Sequence, residues 1–427
     1  MSDDPLIFRV RQTFERPQVG DITAEVDSQL ARLALGGKIQ AGQSVAITAG
    51  SRGIANIHLI IKAIVDHLKQ LGAQPFIVPA MGSHGGGTAE GQREIIESYG
   101  ITEEFCGCPI RASMETIIVC QAEEGFPVHF DRLASEADHV VVCGRVKPHT
   151  GFVGDIESGL MKMMLIGLGK HEGAKIYHRA IKDFSFGQIV RSVAREVLDK
   201  CRVVAGLAIV ENGYDETAKI AAVAPGEFEE REKELLVLAK QWMPKLPFKT
   251  ADILILDEIG KNISGSGMDT NIVGRKFHDH EAAADEWPKV KRIIVRGLTD
   301  KTHGNAAGIG IAEFCRSRVI EEMDVHATRT NCLTGGHAAA AMFPLDYATD
   351  RECLDMAFPQ IGLTEPPDAK IQWIKNTLEV AEVECSVAYL EEARSRDDLE
   401  IIVEPRPLPM DDDGNLPSIT EVNPVLV

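Results

Sequence analysis

Residues 143–178, CGRVKPHTGFVGDIESGLMKMMLIGLGKHEGAKIYH, set His149, His171 and His178 with Lys147 and Lys162 around a glycine-broken turn. Imidazoles titrate near neutrality, so such a set suits proton transfer or, in the neutral form, metal binding. Lysines offer phosphate contact or covalent attachment, although most are simply solvated. Lys162 is the less ordinary one, because it interrupts the apolar run 160–168, where burying a charge needs a reason. No compact ligand spacing such as H-E-x-x-H is present, so base, metal ligand and bland histidine all stay open on spacing alone.

Two more candidates stand earlier in the chain. Arg52, in AGSRG, has the fork of donors that clamps a carboxylate or phosphate, and equally suits a surface. His84 lies in GSHGGG, where glycines allow positive φ and close backbone approach, and a following helix N-terminus would favour an anion. Neither G-x-G-x-x-G nor G-x-x-x-x-G-K-[ST] occurs, and a tight turn with an exposed histidine is the plain alternative. Cys106 and Cys108 form a C-x-C pair with no second pair and read as small loop residues.

These residues need strands and helices to position them. SVAITAG at 44–50 reads as a buried strand delivering Arg52 to a helix over 56–71, and PFIVPA at 75–80 as a strand delivering His84 to a helix from about Thr88. Strands at 116–121 and 138–144 follow, the second feeding Lys147, Pro148 and His149; Pro148 turns the preceding residue away from helix, placing the histidine just past a strand end, where open α/β sheets bind ligands. A helix over 184–200, a strand over 202–210 and a charged amphipathic helix over 227–242 complete the alternation expected of a mainly parallel sheet covered by helices. After the Pro-containing link 244–250, strands at 252–257 and 292–296, a helix near 309–323, a helix over 369–377 and a strand over 380–387 predict a smaller C-terminal α/β domain. The expected division is 1–248, 249–404 and a Pro- and Asp-rich tail, 405–427, packed back on the N-terminal domain.

The length of 427 residues suits two cores, with hydrophobic residues at 44%. Sixty-four acidic against 45 basic residues leave a net charge of −19, which argues against nucleic acid and anionic membrane as partners and means that an anionic substrate needs local cations. The acidic opening MSDDPLIF lacks the pattern of a secretory signal, no apolar run reaches membrane-spanning length, and nine scattered cysteines suit reduced thiols, so a cytoplasmic enzyme is expected.

Taken in order, the turn at Arg52, GSHGGGTAEG at 82–91, KPH at 147–149, SGLMK at 158–162, His178 sixteen residues later, MDTNIV at 268–273 and DAKIQWIKNTLEVAEVECS at 368–386 resemble the nickel-pincer nucleotide-dependent lactate racemase family. The resemblance implies a racemase or epimerase of a small-molecule α-hydroxy acid, with its active site in a cleft between two α/β domains. It implies nickel held in a pyridinium bisthiocarboxylic acid mononucleotide, the nickel-pincer nucleotide, supplied by cofactor-biosynthesis enzymes and tethered to Lys162. His178 matches the nickel-binding histidine, His84 and His149 the two acid/base histidines, and Arg52 the arginine beside substrate or histidine; Ser51, Gly82 and Ser83 would line the cofactor.

The chain departs from the family at two places. The small-residue run GYSGG is replaced by GDIESG, adding Asp155 and Glu157, with about three extra residues between His149 and Lys162. The LDQNIYQ pattern becomes MDTNIVGRKF: Asp269 and Asn271 persist, Val273 and Gly274 take the tyrosine and glutamine positions, the substrate lysine falls near Phe277, and Arg275 or Lys276 is expected to replace it. The substrate expected is therefore a 2-hydroxy acid other than lactate. A nucleotide- or phosphate-binding homologue without turnover is the alternative, and a zinc hydrolase using His149, His171 and His178 a weaker third.

Overall fold

Four of the buried apolar runs become neighbours in one parallel sheet. In spatial order the strands are Gln74–Pro79, Ser44–Ala49, His139–Arg145 and Val203–Glu211, with Thr217–Val223 added antiparallel at the far edge. This sheet belongs to a unit comprising Glu15–His149 and Val153–Met243 of the computed structural model, which describes residues 4–276 and 283–422. The helix Ile57–Gln70 buries Ile57, Ile60, Ile61, Ile64 and Leu68, the three-and-four spacing that turns one face inward. Each such side chain stabilises the core by about 1.5–3 kcal/mol. No helix among the described residues is long and apolar enough to cross a membrane.

The second unit comprises the described residues that fall within Met1–Phe14, Thr150–Phe152 and Pro244–Val427. Its eight-stranded sheet runs Leu345–Tyr347, Phe314–Arg316, Lys289–Val295, Thr250–Leu256, Ile371–Ile374, Glu382–Ser386, Ile7–Gln12 and Leu399–Arg406. The first five strands are parallel and the rest antiparallel.

Both chain ends therefore sit differently from the division at 1–248, 249–404 and 405–427. Ile7–Gln12 lies between two acidic strands of the second sheet: Arg9 donates to buried Glu384 at 2.7 Å, and Arg11 pairs with Glu382 and Glu400. The tail packs on the second unit, where Leu416, Ile419 and Val422 join the core of Ile253, Ile255 and Trp373, and Asp257 accepts from the Ile419 amide at 2.7 Å. Residues 371–374, expected within a helix, form a strand because IQWI is buried on both faces and pairs with Ile253–Leu256. The helix expected near 309–323 is shortened to Ser317–Glu322 by the strand Phe314–Arg316.

Candidate active site

Three successive strand ends of the N-terminal unit carry the predicted residues. Beyond Ala49 the chain turns through Gly50, Ser51 and Arg52; the Tyr99 hydroxyl donates to the Ser51 carbonyl at 2.9 Å and fixes the turn. A Cβ on Gly50 would come within 3.1 Å of the Met163 methyl, so the turn before Arg52 packs directly on the segment that bears Lys162. Beyond Pro79 the chain enters GSHGGG, and the His84 imidazole Nδ1 meets the Ser51 hydroxyl. The adjacent parallel strands thus bring Ser51 and His84 together.

The GSHGGG loop is held from beneath. Gly85 has φ of 64°, and a Cβ there would fall 2.4 Å from the Gly91 carbonyl carbon, so only glycine allows the loop to fold onto its helix. The buried Gln92 amide donates to the carbonyls of Met81 at 2.9 Å and Gly82 at 3.0 Å, while its oxygen accepts from Lys170 at 3.1 Å. Lys170 and Asp131 are fully buried and 3.2 Å apart; burial lowers the amine and raises the carboxyl, each partly offset by the other.

The third strand end leads through Lys147 to His149. The Ser158 hydroxyl accepts from the Lys147 amide at 3.0 Å, buried Glu157 accepts from the His149 amide at 2.8 Å and pairs with Lys240 at 2.6 Å, and the His149 ring stacks on Phe186 with centroids 6.2 Å apart. The two acidic residues of GDIESG are thus engaged by protein cations, since Asp155 pairs with Arg191 at 2.7 Å.

Lys162 ends the short helical turn Leu160–Lys162, and Met163–Gly167 continues it as a π-helical turn, a geometry that recurs at functional sites. The Lys162 amine is lowered to about 7 by burial and by the positive charge of Arg52. Arg52 keeps solvent access, yet surrounding protein and Arg145 lower it in turn. His178, in the helix Lys170–Ala180, is lowered by burial and by Lys162 and Lys182, which favours the neutral imidazole that a metal requires. Ser51, Arg52, His84, Lys162 and His178 therefore form one connected group, with His149 on the neighbouring loop.

His149, His171 and His178 do not converge as a zinc triad: among the described residues no group of three or more His, Cys, Asp and Glu could hold a metal ion. Burial pushes the Cys106 and Cys108 thiols up to about 11 and about 12, which leaves them protonated. Arg275, expected beside the substrate, is placed differently. It is completely buried in the second unit, donating to the Ile311 carbonyl at 2.6 Å, to Glu313 at 2.9 Å and to the carbonyls of Val290 and Lys291, both at 3.1 Å. The Lys276 amide donates to Glu286 at 2.7 Å, and Phe277 lies outside the described residues. Asp269 accepts from Asn271 twice, at 2.8 and 2.9 Å.

Sequence reasoning missed Gln92, Asp131, Lys170 and Glu232, which position the loops rather than furnish their reactive groups. The available signal was a charge at a core position: Glu232 shares the inward face of its helix with Phe228, Leu235, Leu236 and Ala239, and Lys170 closes the apolar run after Lys162.

With that geometry in place, comparison with known proteins becomes informative. Residues 16–185, which hold Arg52, His84, His149, Lys162 and His178, match the lactate racemase N-terminal domain family. The fold is similar to that of the lactate racemase apoprotein from Thermoanaerobacterium thermosaccharolyticum, with a TM-score of 0.58 at 16% identity over 87% of this chain and 94% of that one. A structural-genomics protein from Thermotoga maritima gives a TM-score of 0.51 at 12% identity over 77% of this chain and 84% of that one. At these identities the two structures speak for the fold. A search of curated protein sequences returns no significant match. The matched stretch falls largely within the unit whose strand ends carry Ser51, Arg52, His84 and His149.

Proposed function

We propose that the protein racemises or epimerises an α-hydroxy acid other than lactate, using a nickel-pincer nucleotide attached to Lys162. The observation that carries this reading is the Lys162 amine, at the end of the helical turn that leads into the π-turn and within the electrostatic reach of Arg52 and His178, with its pKa brought down to about 7. A lysine in that state is substantially unprotonated at neutral pH and so nucleophilic enough to form an amide-type bond. The residues fit the group: Lys162 would tether it, a neutral His178 would donate to nickel, and Ser51, Gly82 and Ser83 would border it. When bound, such a group supplies the acceptor and donor of the α-hydrogen as hydride, chemistry that side chains lack.

The chain's own residues would handle charge and protons. Arg52 offers a guanidinium to the substrate carboxylate or to the neighbouring histidine. His84, oriented through Nδ1 by Ser51, and His149, oriented by Glu157 and Phe186, would each remove or return the hydroxyl proton. Two bases are required because the two enantiomers present the hydroxyl differently, and imidazole matches that exchange near neutral pH.

Co-production with cofactor-making enzymes should give an adduct on Lys162 by intact mass, and nickel that His178→Ala loses. Cofactor-loaded protein should then invert or exchange the α-hydrogen of a member of an α-hydroxy acid panel in deuterium oxide. An unmodified mass without nickel would overturn the reading. The engagement of Arg275 inside the second unit favours a second reading, cofactor binding without turnover; a nickel-loaded adduct with no α-carbon exchange across the panel would establish it.

A further inference from the structure

We infer that Glu232, from the helix Phe228–Trp242, is a positioning residue for Lys162, its side chain fastening the turn that presents the amine. Glu232 is 1% exposed, and its Oε2 accepts from the Met161 amide at 3.0 Å, with the Leu160 amide also leaning on the carboxyl. The turn is shaped around it: Gly159 has φ of 130°, and a Cβ there would sit 2.7 Å from the Glu232 carboxyl carbon. Glycine at 159 therefore serves as the space that the carboxyl occupies.

The opposite oxygen, Oε1, is buried without a hydrogen-bond partner among the described residues. A core-facing carboxyl that satisfies one backbone segment and leaves its other oxygen unmatched is costly unless it holds something in place. Burial raises it to about 8, so near neutrality it serves largely as a neutral hydrogen-bond acceptor toward the turn. Lys162 is the next residue after Met161, and the charges that act on its amine come from Arg52 rather than from Glu232. The carboxyl thus acts on Lys162 through backbone geometry: it keeps the amine in the partly buried position that Arg52 flanks.

The inference rests on Lys162 as the attachment residue, and the test reads Lys162 without cofactor. Full-length apo protein is treated with trace acetic anhydride across a pH series, and acetylation of the Lys162 peptide is measured by mass spectrometry, which yields the midpoint of the amine. Glu232→Gln keeps an acceptor in place and should retain the wild-type midpoint. Glu232→Ala and Glu232→Asp remove or withdraw it and should raise the midpoint by roughly one unit or more as the amine escapes to solvent. Hydrogen exchange at Leu160 and Met161 should quicken in the Ala and Asp variants and stay slow in Gln.

Wild-type midpoints in folded Ala and Asp variants would overturn the inference, as would a Gln variant shifted like Ala. Should Ala fail to fold, the contrast between Asp and Gln decides. A midpoint shift in Ala and Asp with no cofactor adduct in the wild type would leave Glu232 as positioning residue and remove attachment instead.

Discussion

Replacing Lys162 with methionine should stabilise the apo protein at neutral pH, and the gain should fade as pH rises. The folded chain holds the Lys162 proton less tightly than the unfolded chain, because burial and Arg52 bring the amine from 10.5 to about 7. Stability at this site is therefore lowest below about 7, recovers between about 7 and 10.5, and is unaffected above. At about 1.4 kcal/mol per pH unit that interval sets a ceiling of roughly 5 kcal/mol. Lys162 is only partly shielded from solvent, so about 2 kcal/mol is expected near pH 7. Urea unfolding followed by circular dichroism, with parent and Lys162→Met compared at about pH 6.5, 8 and 9.5, measures it. A variant no more stable than the parent at the lowest pH, or a difference that stays constant across the series, would refute the reasoning.

Three other outcomes follow from the packing. Gly85→Ala should lower stability by about 2 kcal/mol or more, since it combines a left-handed backbone with a Cβ pressed on Gly91, and should also weaken cofactor retention; thermal unfolding and intact mass check both. Lys170→Met leaves Asp131 buried beside no cation and should cost roughly 3–5 kcal/mol, with most of it recovered in a Lys170→Met, Asp131→Leu double variant measured in the same denaturation series. Arg275→Lys cannot reproduce the four-way guanidinium contacts and should destabilise the second unit by about 1–3 kcal/mol, while Lys162 adduct formation persists by mass.

What was legible in the sequence was the set of strand ends. Ser44–Ala49, Gln74–Pro79 and His139–Arg145 are continuous apolar runs closed by glycine, serine or proline, and a buried parallel strand leaves that signature. Arg52, His84 and His149 followed, because each lies just past one of those ends, whereas Lys162 and His178 sit on helical segments farther along. Other features were hidden for physical reasons. IFRVRQ looks like an amphipathic surface stretch until the acidic strands carrying Glu382, Glu384 and Glu400 accept its arginines. IQWI is too short for periodicity to separate strand from helix. Arg275 could be read as a free cation only while its carbonyl partners, dispersed from Val290 to Ile311, were unseen. Glu232 and Lys170 show that a charge at a core position deserves to be asked what backbone it serves.

The pairing of Ile7–Gln12 with strands near the other end of the chain also sets a timetable. The contact from Arg9 to Glu384 spans 375 positions. A ribosome adding about 5–20 residues per second reaches the later partner roughly 20 to 75 s after the earlier one. Throughout that interval Ile7, Phe8 and Val10 have left the ribosome without the strands that will bury them, while residues 15–243 already have every strand of their own sheet well before synthesis ends. The strand Ile7–Gln12 is thus made long before the strands that bury it, and in a cell that interval leaves it in need of a chaperone's cover.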